Sequence, residues 1–373
     1  MAEVGRKLDL SGKSILTKLL LQQFKNKIVG QESATQMLVD MFNKHQAGFG
    51  DPANPAGIAL FLGPTGVGKT HTVEVFTEAI LGNKAACLRI DCGEFQHSHE
   101  IAKLVGSPPG YLGHRETHPV FTQARLDKYH TDALKLSVVL FDEIEKASDA
   151  VWAILLGIMD KASLTLGDNS VVDFSNSLII MTSNLGAREM VEQCIGFEIL
   201  SAKNLDDAVL AQKAMSAAKT KFSPEFMNRI SNIVVFQSQT EEQIRQVMEM
   251  ELGILSQRLF NLPMDKQFLL KVSPAAKRVL LTEGYNKVYN SRYMKRTIER
   301  RITQPLAKLA TSGQIMPRDT VVVDDTGGVD FEFWCHPTVL VPKAPDVIEI
   351  VKVTEVEARL LDFEGFHKRM RLL

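Results

Sequence analysis

The fold is decided by Ile58-Ala59-Leu60-Phe61-Leu62-Gly63-Pro64-Thr65-Gly66-Val67-Gly68-Lys69-Thr70. The apolar first part is typical of a buried strand, and the part from Gly63 onward matches Gly-x4-Gly-Lys-[Ser/Thr] without a departure. Glycines let backbone N–H groups curl round phosphate oxygens, and a helix that begins at Lys69 would point its N-terminus at the same phosphates. The sequence therefore predicts a strand, a phosphate-binding loop and a helix, in that order.

Several residues of this loop have a predicted role in holding a nucleoside triphosphate and its metal ion. Lys69 would reach the β- and γ-phosphates, and the Thr70 hydroxyl would ligate Mg²⁺. The loop backbone would contact the phosphates through these residues: Thr65, Gly66, Val67 and Gly68.

A second string supplies the acids that a nucleotide site needs. It is Leu136-Ser137-Val138-Val139-Leu140-Phe141-Asp142-Glu143, an apolar run that ends in two carboxylates. Asp142 would hold Mg²⁺ through water, and Glu143 would polarise the attacking water as general base. An apolar strand that ends in acids is common by itself, and its pairing with the glycine loop makes it informative.

Further apolar runs of strand length are separated by helix-length segments. They lie at 87–90, 137–141, 178–182 and 233–236. Strand and helix in alternation predict an α/β fold with a parallel five-stranded sheet and helices on its faces. From about residue 240 the pattern becomes helical, with a short strand at 320–323, which predicts a second, smaller domain.

Composition excludes several classes of protein. The 373 residues include 43 basic and 44 acidic side chains, a formal charge of −1, so no bulk charge points to nucleic acid or to an anionic membrane. At 45% hydrophobic and 23% charged, the chain has the material for a globular core. Its four cysteines form no Cys-x-x-Cys pair, and no signal peptide or membrane span is recognisable, so we expect a cytoplasmic protein.

Five further strings sharpen this interpretation. They are Ile28-Val29-Gly30-Gln31, Gly106-Ser107-Pro108-Pro109-Gly110-Tyr111-Leu112-Gly113, Met181-Thr182-Ser183-Asn184-Leu185-Gly186, Phe222-Ser223-Pro224-Glu225-Phe226-Met227-Asn228-Arg229-Ile230, and Gly284-Tyr285 with Tyr293-Met294-Lys295-Arg296. With the glycine loop and the acidic strand, they resemble the Clp family of AAA+ ATPases, and the likeness is to the second ATPase module of ClpA, ClpB and ClpC. The resemblance runs from about residue 24 to about residue 324.

This resemblance implies that the nucleotide is ATP, and it assigns residues around it. Ile28 and Val29 correspond to the adenine-contacting stretch, and Asn184 to the sensor that orients the attacking water. Arg229 corresponds to an arginine finger that reaches the γ-phosphate held by a neighbouring subunit, and Arg292 to the arginine of the sensor-2 helix. Where family members usually have Gly-Ala-Arg, this chain has Asn290-Ser291-Arg292.

The resemblance also implies surfaces for protein partners. Tyr111 corresponds to the aromatic residue of the substrate-gripping pore loop. Ile195-Gly196-Phe197 resembles the tripeptide that docks Clp unfoldases onto the ClpP peptidase. Two interpretations of this tripeptide remain open: a docking anchor, or a loop in which Phe197 packs on its own domain.

We expect four regions: an N-terminal extension at 1–25, an AAA+ large α/β ATPase domain at 26–238, a small, mostly helical lid at 239–328, and a C-terminal extension at 329–373. The extension either docks a partner or packs on its own domain. The substrate-recruiting domain and the first ATPase module of two-ring relatives have no counterpart in this sequence. Substrate identity and recruitment, the ring stoichiometry and the role of 329–373 stay open.

Together with the motifs, the resemblance implies an ATP-dependent protein unfoldase that threads polypeptide through a homo-oligomeric ring, a hexamer, with or without a ClpP-like peptidase or a specific adaptor. An alternative is an AAA+ regulator or loader that acts on a specific protein or nucleoprotein complex without general unfolding. A nucleic-acid motor is disfavoured because the predicted pore loops, 106–113 and 164–171, contain no lysine or arginine. A non-hydrolysing scaffold is disfavoured because it has no use for a general base.

Overall fold

The computed structural model describes residues 12–107, 119–186, 207–286 and 288–336. Its strands are β1 Gly57–Leu62, β2 Cys87–Asp91, β3 Ser137–Asp142, β4 Ser163–Thr165, β5 Val171–Asp173, β6 Ser177–Ser183, β7 Asn232–Val235, β8 Leu269–Val272, β9 Thr320–Asp324 and β10 Glu332–His336. Its α-helices are α1 Ile15–Lys27, α2 Glu32–Gln46, α3 Lys69–Leu81, α4 Ala102–Val105, α5 Gln123–Leu126, α6 Asp149–Lys161, α7 Asp207–Lys221, α8 Pro224–Arg229, α9 Glu241–Phe260, α10 Pro274–Gly284, α11 Asn290–Ile298 and α12 Gln304–Thr311.

The chain divides into two compact units, each assembled from separate segments. The first consists of Met1–Phe61, Thr70–Thr182 and Pro224–Val234. The second consists of Leu62–Lys69, Ser183–Ser223 and Val235–Leu373. The glycine loop is therefore grouped with the C-terminal part of the chain, and the body of the sheet with the N-terminal part. The boundaries 26–238 and 239–328 stay a prediction.

The sheet of the first unit confirms the predicted architecture. Its strand order is β2-β3-β6-β1-β7, and the pairs β2–β3 and β3–β6 are parallel. Every residue of β3 and β6 is buried. Parallel strands covered on both faces are apolar along their whole length, which is why unbroken runs of Val, Ile and Leu predicted them.

Helices α1 and α2 pack on this unit through an aromatic cluster. Phe24 stacks on Phe76, with ring centroids 6.4 Å apart, and Phe42 meets Phe76 edge-on at the same distance. Leu20 is buried, and the Thr17 hydroxyl donates to Asn43 Oδ1 at 2.6 Å. Burying a leucine or phenylalanine side chain is worth about 1.5–3 kcal/mol, and the part of the predicted N-terminal extension that lies in α1 therefore packs as part of the folded unit.

The second unit has its own core, built from α9 to α12 and a small sheet. Strand β9 pairs in parallel with β8 and antiparallel with β10. The mostly helical character predicted for this region is confirmed, and β8 is a strand that the sequence reading missed. Strand β10 and the buried Phe331 belong to the predicted C-terminal extension, so its first residues pack on the lid.

Within the described residues, no helix combines the length and the apolar character needed to cross a membrane.

Candidate active site

The glycine loop follows β1 directly and has left-handed backbone at Gly66, where φ is +78°. A Cβ placed on Gly66 would lie 2.2 Å from the backbone carbonyl oxygen of Tyr289, a distance no side chain tolerates. Gly68, with φ +101°, has open space where its Cβ would be. Residue 66 must therefore be glycine because backbone approaches it closely, whereas Gly68 leaves one face of the loop open.

Lys69 lies inside the curl of this loop. Its side chain is 7% exposed, and its ammonium group donates to the carbonyl oxygens of Gly63 and Pro64, at 2.7 Å each. It also donates to Asn184 Oδ1 at 3.0 Å. The lysine predicted to reach the β- and γ-phosphates and the asparagine predicted to orient the attacking water are thus in contact. A lysine ammonium in this position can form charge-assisted hydrogen bonds to phosphate oxygens.

The acidic half of the site is centred on Asp142, at the end of β3 and 8% exposed. The Thr70 hydroxyl donates to its carboxylate, with oxygen–oxygen distances of 3.2 and 3.4 Å. The Thr182 hydroxyl donates to the same carboxylate, and so does Arg89 Nη2, at 2.5 Å. The structure therefore brings together Thr70 and Asp142, the two residues predicted to serve a metal ion.

The donor set at Thr70 and Asp142 fits Mg²⁺. Both side chains present oxygen, the ligand that this cation prefers. In the described part of the chain, no group of three or more His, Cys, Asp or Glu side chains could hold a metal ion alone. One carboxylate and one hydroxyl leave most coordination positions to water and phosphate, the usual arrangement for Mg²⁺ at nucleotide sites.

Arg89 is a site residue that sequence reasoning missed. It lies on β2 and contacts both Asp142 and, at 3.9 Å, Glu74 on α3. Together with His71, which hydrogen-bonds Glu74 and is the largest cause, Arg89 lowers the pKa of that carboxyl. The signal in the sequence is an arginine within an otherwise apolar strand segment, Cys87-Leu88-Arg89-Ile90.

Glu143, the predicted general base, has a left-handed backbone with φ +56°. Its N–H donates to the Thr182 hydroxyl at 3.1 Å, which ties it to the same threonine as Asp142. Its carboxylate forms an ion pair with Lys146, one turn further on. Hydrogen bonding to Glu143 raises the pKa of the Lys146 ammonium. A non-glycine residue in this conformation costs free energy, and such positions cluster at functional sites.

The two predicted arginines have different surroundings. Arg229, the last residue of α8, pairs with Asp160 on α6 through Nε at 2.6 Å, and its side chain is half-exposed. Arg292 is exposed on α11, and its Cβ lies 3.1 Å from the position that a Cβ on Gly66 would take. The structure thus places Arg292 at the glycine loop and Arg229 on the surface of the other unit.

Ile28 and Val29 lie in the turn between α1 and α2, both partly buried. A ring nitrogen of His71, in the first turn of α3, is 3.2 Å from the carbonyl oxygen of Lys27. The predicted adenine segment is therefore adjacent to α3, the helix that follows the glycine loop. Tyr111, Ile195, Gly196 and Phe197 lie outside the described residues.

Two family models match consecutive parts of the chain. Residues 54–233 match the AAA domain (Cdc48 subfamily), and residues 240–323 match the C-terminal, D2-small domain of ClpB protein. The first range contains the glycine loop with Asp142 and Glu143, and the second contains Arg292. The chain belongs to the Clp-type AAA ATPases.

Its relatives include chaperones and a protease subunit. Chaperone protein ClpB of Corynebacterium efficiens is 38% identical over 313 residues, which cover 83% of this chain and 33% of that protein. ClpB of Pseudomonas putida is 36% identical over 81% of this chain and 33% of its own length. ClpC of Staphylococcus aureus, an ATP-binding subunit of the ATP-dependent Clp protease, is 35% identical over 81% of this chain and 36% of its own length.

The chain spans about a third of the length of these curated relatives. A solved structure of Hsp104, a closed-state cryo-EM reconstruction with ATPγS and FITC-casein, is similar over 86% of this chain and 52% of that chain. Its TM-score is 0.72 and its sequence identity 28%, so the likeness of fold extends over most of this chain.

Proposed function

We propose that this chain hydrolyses ATP to ADP and uses the reaction to remodel polypeptides as part of a cytoplasmic homo-oligomeric ring, a hexamer. One observation carries the proposal: Lys69 contacts Asn184, and Thr70, the next residue along the chain, contacts Asp142. Asn184 and Asp142, which are 42 positions apart in the sequence, thus contact the two successive residues of one lysine–threonine dipeptide, each within its own unit. Convergence of this kind is what phosphoryl transfer requires, because its catalysis is mostly positioning and charge neutralisation.

The roles of the residues follow from their contacts. Lys69 neutralises the β- and γ-phosphates, and the N–H groups from Thr65 to Gly68 hold their oxygens. Asp142 and Thr70 hold Mg²⁺, which supplies charge neutralisation when bound. Glu143 accepts the proton of the attacking water, which Asn184 orients. For Glu143 to act, its carboxylate must leave Lys146, with which it is now paired.

Arg229 and Arg292 complete the charge around the γ-phosphate. Arg292 acts within its own chain, beside the glycine loop. Arg229 acts on the nucleotide of a neighbouring subunit, so its pair with Asp160 must open when subunits assemble. An arginine supplied in this way is worth about 10³–10⁵ in rate, which makes activity a property of the ring.

Polypeptide is the substrate class that the sequence favours. Tyr111, in its Gly-Pro-Pro-Gly setting, would grip an extended chain, and Ile195-Gly196-Phe197 would dock a ClpP-like peptidase. The relatives support remodelling both with and without a peptidase, since ClpB is named as a chaperone and ClpC as a subunit of a protease. The alternative, a regulator or loader that acts on one specific protein or nucleoprotein complex, predicts a single trapped partner rather than many.

A hydrolysis-dead variant tests the proposal. Purified Glu143→Gln should hydrolyse ATP about 10²–10⁴-fold more slowly than the wild type, because it lacks the base. With ATP present it should retain polypeptides in a pull-down, and it should elute as a ring. Glu145→Gln removes a neighbouring carboxylate of the same turn and should stay active. Equal ATPase rates for Glu143→Gln and the wild type would refute the catalytic assignment.

A further inference from the structure

A polar cluster joins the start of α11 to the glycine loop. We name it the loop clamp and define it as Gln239, Asn290 and Ser291. Asn290 is 1% exposed and Gln239 is 6% exposed, so both side chains are interior. Buried polar side chains cost free energy unless they are hydrogen-bonded. The Gln239 side chain accepts from the Ser291 N–H, and the Asn290 side chain bonds both Gln239 and the glycine loop.

The loop clamp donates hydrogen bonds to two carbonyl groups of the glycine loop. Asn290 Nδ2 donates to the Thr65 carbonyl oxygen at 3.4 Å, while its Oδ1 accepts the Gln239 N–H at 2.9 Å. The Ser291 hydroxyl donates to the Gly66 carbonyl oxygen, and so does the Ser291 N–H at 3.2 Å. That N–H also reaches Gln239 Oε1 at 3.1 Å.

These bonds fix the orientation of two successive peptide groups. In a trans peptide the C=O and the following N–H point in opposite directions. A Thr65 carbonyl directed at Asn290 therefore turns the Gly66 N–H away from α11, and a Gly66 carbonyl directed at Ser291 does the same to the Val67 N–H. Those N–H groups are the ones that the glycine loop offers to phosphate.

We propose that Asn290 and Ser291 are positioning residues for nucleotide binding, which act through the carbonyl groups of Thr65 and Gly66. The inference rests on the proposed function, since it assumes that phosphate binds this loop. By holding the carbonyls, the loop clamp keeps the donors of the loop turned outward before nucleotide arrives. The cost of ordering the loop is then met in folding rather than in binding.

The experiment is a calorimetric titration of the full chain with MgADP, at a temperature where every variant is folded. Ser291→Ala removes one hydroxyl and should weaken MgADP binding about fivefold, the effect of one hydrogen bond. Asn290→Gly can keep the φ of +47° and should weaken binding to a similar extent. Ser291→Thr keeps a hydroxyl and should bind within about twofold of the wild type.

The matched control is Ser256→Ala, which removes a hydroxyl that bonds the Leu252 carbonyl inside α9. It should leave MgADP affinity unchanged. A purely structural role for Ser291 would lower the free energy of unfolding without nucleotide and leave the affinity of the folded chain as it was. If Ser291→Ala binds MgADP with the wild-type affinity, this inference is overturned and the proposed function is unaffected. Failure of the wild-type chain to bind MgADP overturns the proposed function, and this inference with it.

Discussion

The close approach of Gly66 to Tyr289 can be tested by adding one methyl group to the glycine loop. In Gly66→Ala the new Cβ would lie 2.2 Å from the Tyr289 carbonyl oxygen. To restore van der Waals contact, loop and helix must separate by about 1 Å. In Gly68→Ala the Cβ meets nothing within 4 Å, although φ is also positive there. Both variants therefore carry backbone strain, and only Gly66→Ala also collides with the Tyr289 carbonyl.

The magnitude follows from the bonds that this separation would break. The bond from the Asn290 side-chain amide to the Thr65 carbonyl measures 3.4 Å, and the bond from the Ser291 N–H to the Gly66 carbonyl measures 3.2 Å. A shift of about 1 Å takes both beyond hydrogen-bond range and also breaks the bond from the Ser291 hydroxyl to Gly66. At about 1 kcal/mol each, the loss is about 3 kcal/mol. Strain adds about 1–3 kcal/mol in either variant. We expect Gly66→Ala to be less stable than Gly68→Ala by about 3 kcal/mol.

Urea unfolding without nucleotide, followed by circular dichroism and tryptophan fluorescence, measures this difference. The slope of free energy against urea must be the same for both variants, so that the comparison concerns stability alone. If both lose the same free energy of unfolding, then Tyr289 does not approach Gly66 in the folded protein. That result would also refute the contacts described for the loop clamp.

Three further predictions concern the rest of the chain. Burial lowers the pKa of His130 below its ordinary 6.5, so the unfolded chain binds the proton more readily than the folded chain. The free energy of unfolding should therefore fall as the pH drops from about 7 to 5.5, by up to about 1.4 kcal/mol per pH unit. In His130→Gln, urea unfolding at the same pH values should show a smaller fall. Hydrogen bonding to Asp319 raises the pKa of the Cys335 thiol to about 11, so little of the reactive thiolate forms at pH 8. Mass spectrometry should show that iodoacetamide alkylates this exposed residue about a hundredfold more slowly than cysteine in solution. Arg318 is exposed with φ +70°, so Arg318→Asn should raise the free energy of unfolding by about 0.5–1 kcal/mol; a loss would contradict the assigned backbone.

The sheet could be predicted from sequence because its signal is local. Each central strand is an unbroken apolar run, and the glycine loop fixes where the first one ends. Strand β8 was missed for the opposite reason: Leu269-Leu270-Lys271-Val272 is short, only partly buried, and paired with β9 about 50 residues away. Nothing in a run of this length distinguishes an edge strand from a helical turn.

For the candidate site, the sequence offers residue types at motif positions but not the contacts between them. Glycine loop, acids and sensor asparagine are motif positions, and their types could be read from the sequence. Arg89 and Asp142 are 53 positions apart, and Ser291 and Gly66 are 225 apart. Pairs at such separations are determined by which helix and strand ends the fold brings together, and no local spacing encodes them.

Position 290 departs from the Gly-Ala-Arg string of the family that the sequence resembles. Asn290 has φ +47°, a conformation that glycine adopts freely and that asparagine tolerates better than most side chains. The chain thus keeps the turn that glycine allows and gains an amide that reaches both Gln239 and Thr65. At position 291, a hydroxyl in place of alanine's methyl group adds a bond to Gly66. Both side chains contact the glycine loop, so Asn290 and Ser291 link α11 to this loop through bonds that glycine and alanine could not make.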